Sequence, residues 1–393
     1  MRGSRVLPRI PVSPAEKAEW NSRLDMRIAY IVTTLGIGGA EKQTIQIAER
    51  MHARAHVVLL MVLLAPAEHE WPTELPVVRL NLSGNISGVL KGLRFARTFL
   101  TVFGADILHS HTFPANVFAR LLRATGSSAK VINTIHNVRE GGWMRSMLYR
   151  ATNRWLTRAT AVSEAVRETY VARKLILAQK ISVLRNGIDL DHFRQDAARR
   201  SRIRQELNAE GKFVWVAVGR IADAKDYPNL LRAFAIVQNR FPLTRLWIAG
   251  ENSGGMNARA ARELDGLLTQ SEGVSCLGFR SDIAALLDAA DGFVLSSAWE
   301  GMPLVVAEAM AMEKPVIATD VGGVREIIGN FGVTVPARDS SALASAMSGV
   351  MTEAHSVLED RLRSARKRIE QCFSIDSRVE EWEHLYALTI DTR

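Results

Sequence analysis

The chain has 393 residues, 47% hydrophobic and 23% charged, which is too long for one ordinary core, points to two domains or one large one, and excludes global disorder. Its two cysteines, Cys276 and Cys372, form no CxxC pair; this excludes a disulfide scaffold and a Cys-based zinc site, and suggests two buried small residues in a reducing cytosol. The formal net charge is +9, but residues 1–186 carry 26 Lys and Arg against 12 Asp and Glu, whereas residues 187–393 carry 24 against 29.

Such a basic first half suggests an anionic partner: nucleic acid, the headgroups of a membrane leaflet, or a lipid pyrophosphate. Residues 1–25 hold Arg2, Arg5 and Arg9, interrupted by Pro8, Pro11 and Pro14, and no apolar region follows. They read as a loosely ordered extension rather than a secretory signal. RIAYIVT (27–33) reads as a strand. It ends in Leu35-Gly36-Ile37-Gly38-Gly39, ahead of a helix from about Ala40 to Met51. The longest apolar run, Val57–Ala65, falls far short of the ~20 residues that span a membrane and reads as a buried strand. Further strands are predicted at 77–82, 106–111, 130–136 and 159–163. Near Asn186-Gly187-Ile188-Asp189 this pattern ends, and a charged stretch, Arg194–Asn208, follows. A second alternation starts, with strands at 213–219, 244–250, 273–279, 291–297 and 314–320. Helices are predicted over Pro228–Phe241, Asn257–Gln270, Asp282–Ala289, Pro303–Met312 and Ser340–Thr352, and a last one over 376–390. Strand-then-helix alternation predicts an α/β architecture of two doubly wound parallel sheets facing across a cleft, with ligands at the carboxyl ends of the strands.

Two stretches of the basic half are amphipathic. Leu90–Phe103 carries Lys91, Arg94 and Arg97 among Leu90, Leu93, Phe99 and Leu100. Trp143–Arg158 spaces Arg150, Arg154 and Arg158 four apart, with Trp143, Met144, Met147, Leu148 and Trp155 around them. Each reads either as a core-facing helix with a basic outer face or as a helix lying on a membrane.

The strand-end loops carry the chemistry. GIGGAEK follows the first strand; Gly38 and Gly39 let backbone N–H groups approach a phosphate or sugar. It is neither GxGxxG nor a P-loop. His109 and His111 end one strand, and His136 with Asn137 ends the next. With no carboxylate at ligand spacing, they suit hydrogen bonding to a polar substrate better than a metal. Arg220 and Lys225, beyond a strand end and ahead of a helix, suit a pyrophosphate. Glu300 and Glu308 straddle the helix start at Met302-Pro303-Leu304, where a phosphate is favoured on the N–H groups while Glu308 turns toward a sugar diol.

Together, WEGMPLVVAEAMAMEKPVIATDVGGVREII with Glu300-x7-Glu308, Val218-Gly219-Arg220 with Lys225, Asn186-Gly187-Ile188-Asp189 and LGFRSDI (277–283) resemble the retaining nucleotide-sugar glycosyltransferases of family 4. Their fold is GT-B. The opening LGIGGAEK looks like bacterial members that build lipid-linked or capsular glycans. The resemblance runs from about Arg27 to Tyr386 and is closest in the second half. It implies an acceptor-binding domain over 26–186, joined by the C-terminal helix 376–393, and a donor-binding domain over 187–375. By the same resemblance Arg220 and Lys225 hold the donor diphosphate, assisted by backbone groups of Met302, Pro303 and Leu304. Glu308 binds the ribose and Glu300 the transferred sugar. Gly38 and Gly39 approach donor phosphate and acceptor, His136 lies near the anomeric centre, and His111 and Asn137 are neighbouring contacts. One departure is AGENSG (249–254), where many members have a second Gly after Gly-Glu.

The resemblance implies a UDP-linked donor and a glycan or polyprenyl-diphosphate-linked acceptor. It implies no metal and no cofactor, the two cations taking the metal's place, although Asp189-Leu190-Asp191 matches a metal motif of another transferase fold. It also implies a cytoplasmic enzyme, peripheral on the inner leaflet if the basic helices meet an anionic surface. Nucleic acid is not expected, since no base-stacking motif occurs. The alternatives are a sugar-nucleotide epimerase of the same architecture and a non-catalytic nucleotide-sugar binding protein.

Overall fold

The computed structural model describes residues 26–251 and 256–391. The extension 1–25 and residues 252–254 of AGENSG therefore lie outside the described residues. The first half runs β1 (Arg27–Val32), α1 (Gly39–Ala53), β2 (Val57–Val62), β3 (Val77–Arg79), α2 (Ile86–Phe103), β4 (Ile107–His111), α3 (Phe113–Ala124), β5 (Lys130–Ile135), α4 (Trp143–Thr152), β6 (Arg158–Ala161), α5 (Glu164–Ala172) and β7 (Ile181–Val183). The second half runs α6 (Ala197–Glu206), β8 (Phe213–Val218), α7 (Tyr227–Arg240), β9 (Thr244–Ala249), α8 (Ala258–Gln270), β10 (Val274–Gly278), α9 (Ile283–Ala289), β11 (Gly292–Leu295), α10 (Leu304–Ala311), β12 (Val316–Thr319), α11 (Val324–Ile328), β13 (Val333–Val335) and α12 (Ser340–Thr352). Two helices close the chain, α13 (His355–Phe373) and α14 (Ile375–Ile390).

The strands make two sheets, ordered β3-β2-β1-β4-β5-β6-β7 and β10-β9-β8-β11-β12-β13. All their pairings are parallel, for example Arg27↔Val57 through Val32↔Val62 between β1 and β2. Near-continuous apolar strands such as VVLLMV, buried over five of six residues, are what a sheet covered on both faces requires. Chain order reverses beside β1 in the first sheet and beside β8 in the second. These are the switch points at which crossover helices leave to opposite faces and open a crevice. The loops after β1, β4, β5, β8 and β11 lie at these strand ends, and they carry the residues singled out above.

The last helix returns to the first half. Ile375, Val379, Trp382 and Tyr386 of α14 join one core cluster with Tyr30 of β1 and Ile47 and Met51 of α1. The Tyr386 hydroxyl lies 3.0 Å from that of Tyr30. An aromatic side chain buries roughly 150–250 Å² at about 25 cal/mol per Å², several kcal/mol for each ring.

Two expectations are corrected. Both cysteines are exposed rather than buried; Cys276 lies on β10, which has a neighbour on one side only, and Cys372 lies on α13 between the inward-facing Ile369 and Phe373. The stretch Trp143–Arg158 is not one helix. It ends at Thr152, Arg154 sits in a following 3₁₀ turn stacked 4.0 Å over Trp155, and Arg158 opens β6 by pairing with Ile132. The charged stretch after the first half contains a regular helix, α6, because Asp196 caps it through Ala198 and Arg199 N–H groups. Short strands β7 and β13, of three residues each, and helices α3, α5, α11 and α13 add to the predicted set.

Candidate active site

The two halves meet at an approach that tolerates no side chain. Asn137, just after β5, forms an antiparallel bridge with Gly301, just after β11. A Cβ on Gly301 would lie 1.8 Å from the His136 carbonyl oxygen. The Gly301 carbonyl in turn accepts from the Ser163 hydroxyl at 3.1 Å and from Gly323 N–H at 2.7 Å. Glu326 of α11 adds an ion pair with Arg185 at 2.9 Å and accepts from Glu164 N–H at 2.8 Å. His136, Asn137 and Gly301 of this bridge line a cavity of about 510 Å³ between the sheets. Its lining includes Gly38, Gly39, His136, Asn137, Arg220, Lys225, Glu300, Met302, Pro303, Leu304 and Glu308, so the fold brings the singled-out residues together except His109 and His111.

The second half supplies charge. Lys225 Nζ lies 2.7 Å from Glu300 Oε1, and the Ser297 hydroxyl donates to the same oxygen at 2.7 Å. Gly219 (φ +152°) makes room for this lysine: a Cβ there would lie 2.6 Å from Lys225 Cε. Arg220 is exposed in the cavity. Leu304 begins α10, with Pro303 at the capping position just outside it, and both line the cavity, so the open N–H end of this helix starts at the cavity. Glu308, one turn on, is buried and pairs with Lys42 of α1 at 2.6 Å. The sequence pattern missed Lys42. It belongs to GIGGAEK, one helical turn beyond the glycines, and that spacing is the signal that could have found it.

The first half supplies neutral polar groups. His136 lies 2.9 Å from His111, Nε2 to Nδ1. Burial pushes the pKa of His136 down to about 4 and those of His109 and His111 well below the usual imidazole range. The rings are therefore neutral at physiological pH, and one of each bonded pair must donate. His111 is 1% exposed and does not line the cavity; it backs the His136 ring. His109 is deeper still, bonded to the Tyr386 hydroxyl at 2.6 Å and the Thr134 hydroxyl at 2.7 Å, and ties the cluster to α14. Glu41 and Glu140 also line the cavity. Burial raises both carboxyl pKa values, and the Tyr149 hydroxyl donates to Glu140 at 2.7 Å. Asp189 is engaged by Arg50 at 3.0 Å, outside the cavity. No group of three or more His, Cys, Asp or Glu able to hold a metal ion occurs among the described residues.

Comparison with known proteins agrees with this arrangement. Residues 37–192 match the family model described as Glycosyltransferase Family 4, and residues 212–353 match that described as Glycosyl transferases group 1. EpsD of Bacillus subtilis (strain 168), which carries a glycosyltransferase name, is 30% identical over 313 residues, covering 76% of this chain and 80% of EpsD. An Escherichia coli protein named UDP-Gal:alpha-D-GlcNAc-diphosphoundecaprenol alpha-1,3-galactosyltransferase is 25% identical over 295 residues, covering 72% of this chain and 75% of that one. The crystal structure of Anabaena HepE in complex with UDP and glucose superposes with a TM-score of 0.79 at 22% identity, covering 92% of this chain and 99% of HepE. The chain belongs to the glycosyltransferases of the GT-B fold.

The approach at Gly301 gives a direct test of the two-sided site. In Gly301→Ala the Cβ must push the His136 loop away. Turnover falls about a hundredfold, as misplacement by an ångström can cost, while the circular dichroism spectrum stays that of wild type. Unchanged turnover would show that the approach is not needed.

Proposed function

We propose that this glycosyltransferase moves a sugar from a UDP-linked donor to a glycan or polyprenyl-diphosphate-linked acceptor with retention of anomeric configuration, in bacterial surface polysaccharide synthesis. The observation that carries the reading is the meeting of Arg220, Lys225, Glu300 and Glu308 on one wall of the cleft, opposite Gly38, Gly39 and His136. The names of EpsD and the E. coli galactosyltransferase support it.

In this reading the domain over 187–375 binds the donor, and the domain over 26–186, completed by the last helix, binds the acceptor. The bond between the anomeric carbon and the β-phosphate oxygen breaks, and charge develops on the diphosphate. Arg220 and Lys225 face that charge, with N–H groups at the start of α10, so stabilisation is greatest as the leaving group departs. A metal is not required for it. The acceptor hydroxyl attacks from the face the diphosphate leaves, and its proton passes to the departing phosphate oxygen. His136, neutral, donates or accepts a hydrogen bond to the sugar without adding charge. Glu300 accepts from the sugar's hydroxyls and Glu308 from the ribose.

The two glutamates are separable. Glu308 meets a part present in both UDP and UDP-sugar; Glu300 meets only the transferred sugar. A charged hydrogen bond contributes roughly 1.5–3 kcal/mol, about 10- to 150-fold in affinity. Calorimetric titration of UDP gives that loss in Glu308→Ala and near-wild-type affinity in Glu300→Ala, whose turnover falls sharply. The reverse pattern would exchange the two roles.

A membrane-apposed position for the acceptor rests on α4 and α2. Among the described residues no helix is long and apolar enough to cross a membrane. Yet α4 leaves Trp143 71% and Met144 64% exposed, with Met147 and Leu148 beside them. On α2, Ile86, Leu90, Phe95 and Val102 are exposed alongside Lys91, Arg94 and Arg97. Arg145 of α4 stacks 4.9 Å over Phe113 and lines the cavity, which places the apolar face beside its mouth. Such faces suit an anionic lipid surface at the cytoplasmic side. The protein sediments with anionic liposomes at low salt and is released at high salt, and Trp143→Ser with Met147→Ser weakens the binding. Equal binding to neutral liposomes, or none to anionic ones, rules the surface out.

A further inference from the structure

We propose that Lys42 is a positioning residue that sets the ribose-binding carboxylate and makes nucleotide binding depend on closure of the cleft. This rests on the reading that Glu308 binds the nucleotide's ribose. Lys42 and Glu308 come from opposite halves, 266 residues apart in sequence, and their Nζ and Oε1 atoms are 2.6 Å apart. Both side chains are largely enclosed, at 16% and 6% exposure. The ammonium group also lies 5.0 Å from the ring centroid of Phe193 and 5.6 Å from that of Trp71. A cation held over two rings and against a carboxylate has little freedom to swing away.

A carboxylate offers about four acceptor sites on two oxygens. Lys42 takes Oε1 and so fixes the plane of the group, leaving Oε2 to accept from a diol. The same helix that carries Lys42 also holds the crossing between the halves. Gln43 Oε1 accepts from Gly187 N–H at 2.8 Å. Arg50 pairs with Asp189 and with Asp376 of α14, both at 3.0 Å. From its start beside Gly38 and Gly39, α1 thus bonds in turn to the donor helix, the interdomain segment and the last helix. The Lys42–Glu308 pair exists only while the halves are closed, so a ligand that needs an oriented Glu308 binds the closed form better. That difference in affinity is what shifts a population.

The test is a double-mutant cycle in the full-length protein, read as UDP affinity by calorimetry, with melting temperature as the folding control. Lys42→Met weakens UDP by about tenfold, in the range of a lost partner to a buried charge. Lys42→Arg, which keeps the charge and reach, restores most of it, and Lys42→Gln serves if the Met variant does not fold. On the Glu308→Ala background Lys42→Met has no further effect, because Lys42 acts through Glu308. In steady state the loss falls on the donor KM more than on kcat. An equal loss with and without Glu308, or wild-type affinity in Lys42→Met, overturns the proposal while leaving the ribose role of Glu308 intact. Wild-type UDP affinity in Glu308→Ala instead removes that role, and the proposal with it.

Discussion

The two parallel sheets of this chain place their strand ends around one cavity through loops that come into backbone contact. In this chain that contact is the bridge between Asn137 and Gly301, where a Cβ would stand 1.8 Å from a carbonyl oxygen. Its consequences run outward. Because residue 301 is a glycine, Glu300 and Met302 reach the same cavity as His136. Because the Gly301 carbonyl is held by Ser163 and Gly323, the loop is fixed from both halves. The identity of one residue without a side chain thereby decides where four charged ones stand.

The charges are arranged in opposed pairs. Lys225 bonds Glu300 within the second half, and Lys42 bonds Glu308 between halves. Arg220 stands exposed at the cavity beside them. The opposite wall offers the His136 imidazole, which burial keeps neutral. One side of the cavity therefore carries cations and the other a neutral imidazole, a setting in which preorganised charges act strongly.

Much of this was legible in the sequence, and the parts that were not have definite causes. Glu300-x7-Glu308, Arg220 with Lys225, and the glycines after β1 were visible because each lies at a strand end whose apolar run marks it. Lys42 was not, because its meaning depends on a partner 266 residues away. Strand alternation puts His111 at the sheet's end but does not reveal that it is buried against His136 and outside the cavity lining. The spacing of Arg150, Arg154 and Arg158 imitates a helix, yet the chain turns at Asn153 and pairs Arg158 with Ile132. Cys276 was expected inside because cysteine is commonly buried, but an edge strand exposes it. Sheet type followed from periodicity alone, whereas the return of the last helix was implied only by the resemblance, because it depends on Trp382 and Tyr386 finding a pocket that only the folded first half provides.

If Arg220 and Lys225 stabilise a departing nucleoside diphosphate in this cleft, incubation with a panel of nucleotide sugars in the presence of EDTA, scored as release of free diphosphate, gives slow release from one UDP-sugar that chelator does not suppress and that Arg220→Ala abolishes. Activity that disappears with EDTA and returns with Mn²⁺, or conversion of the donor to its epimer without release, would show that these cations do not carry the reaction.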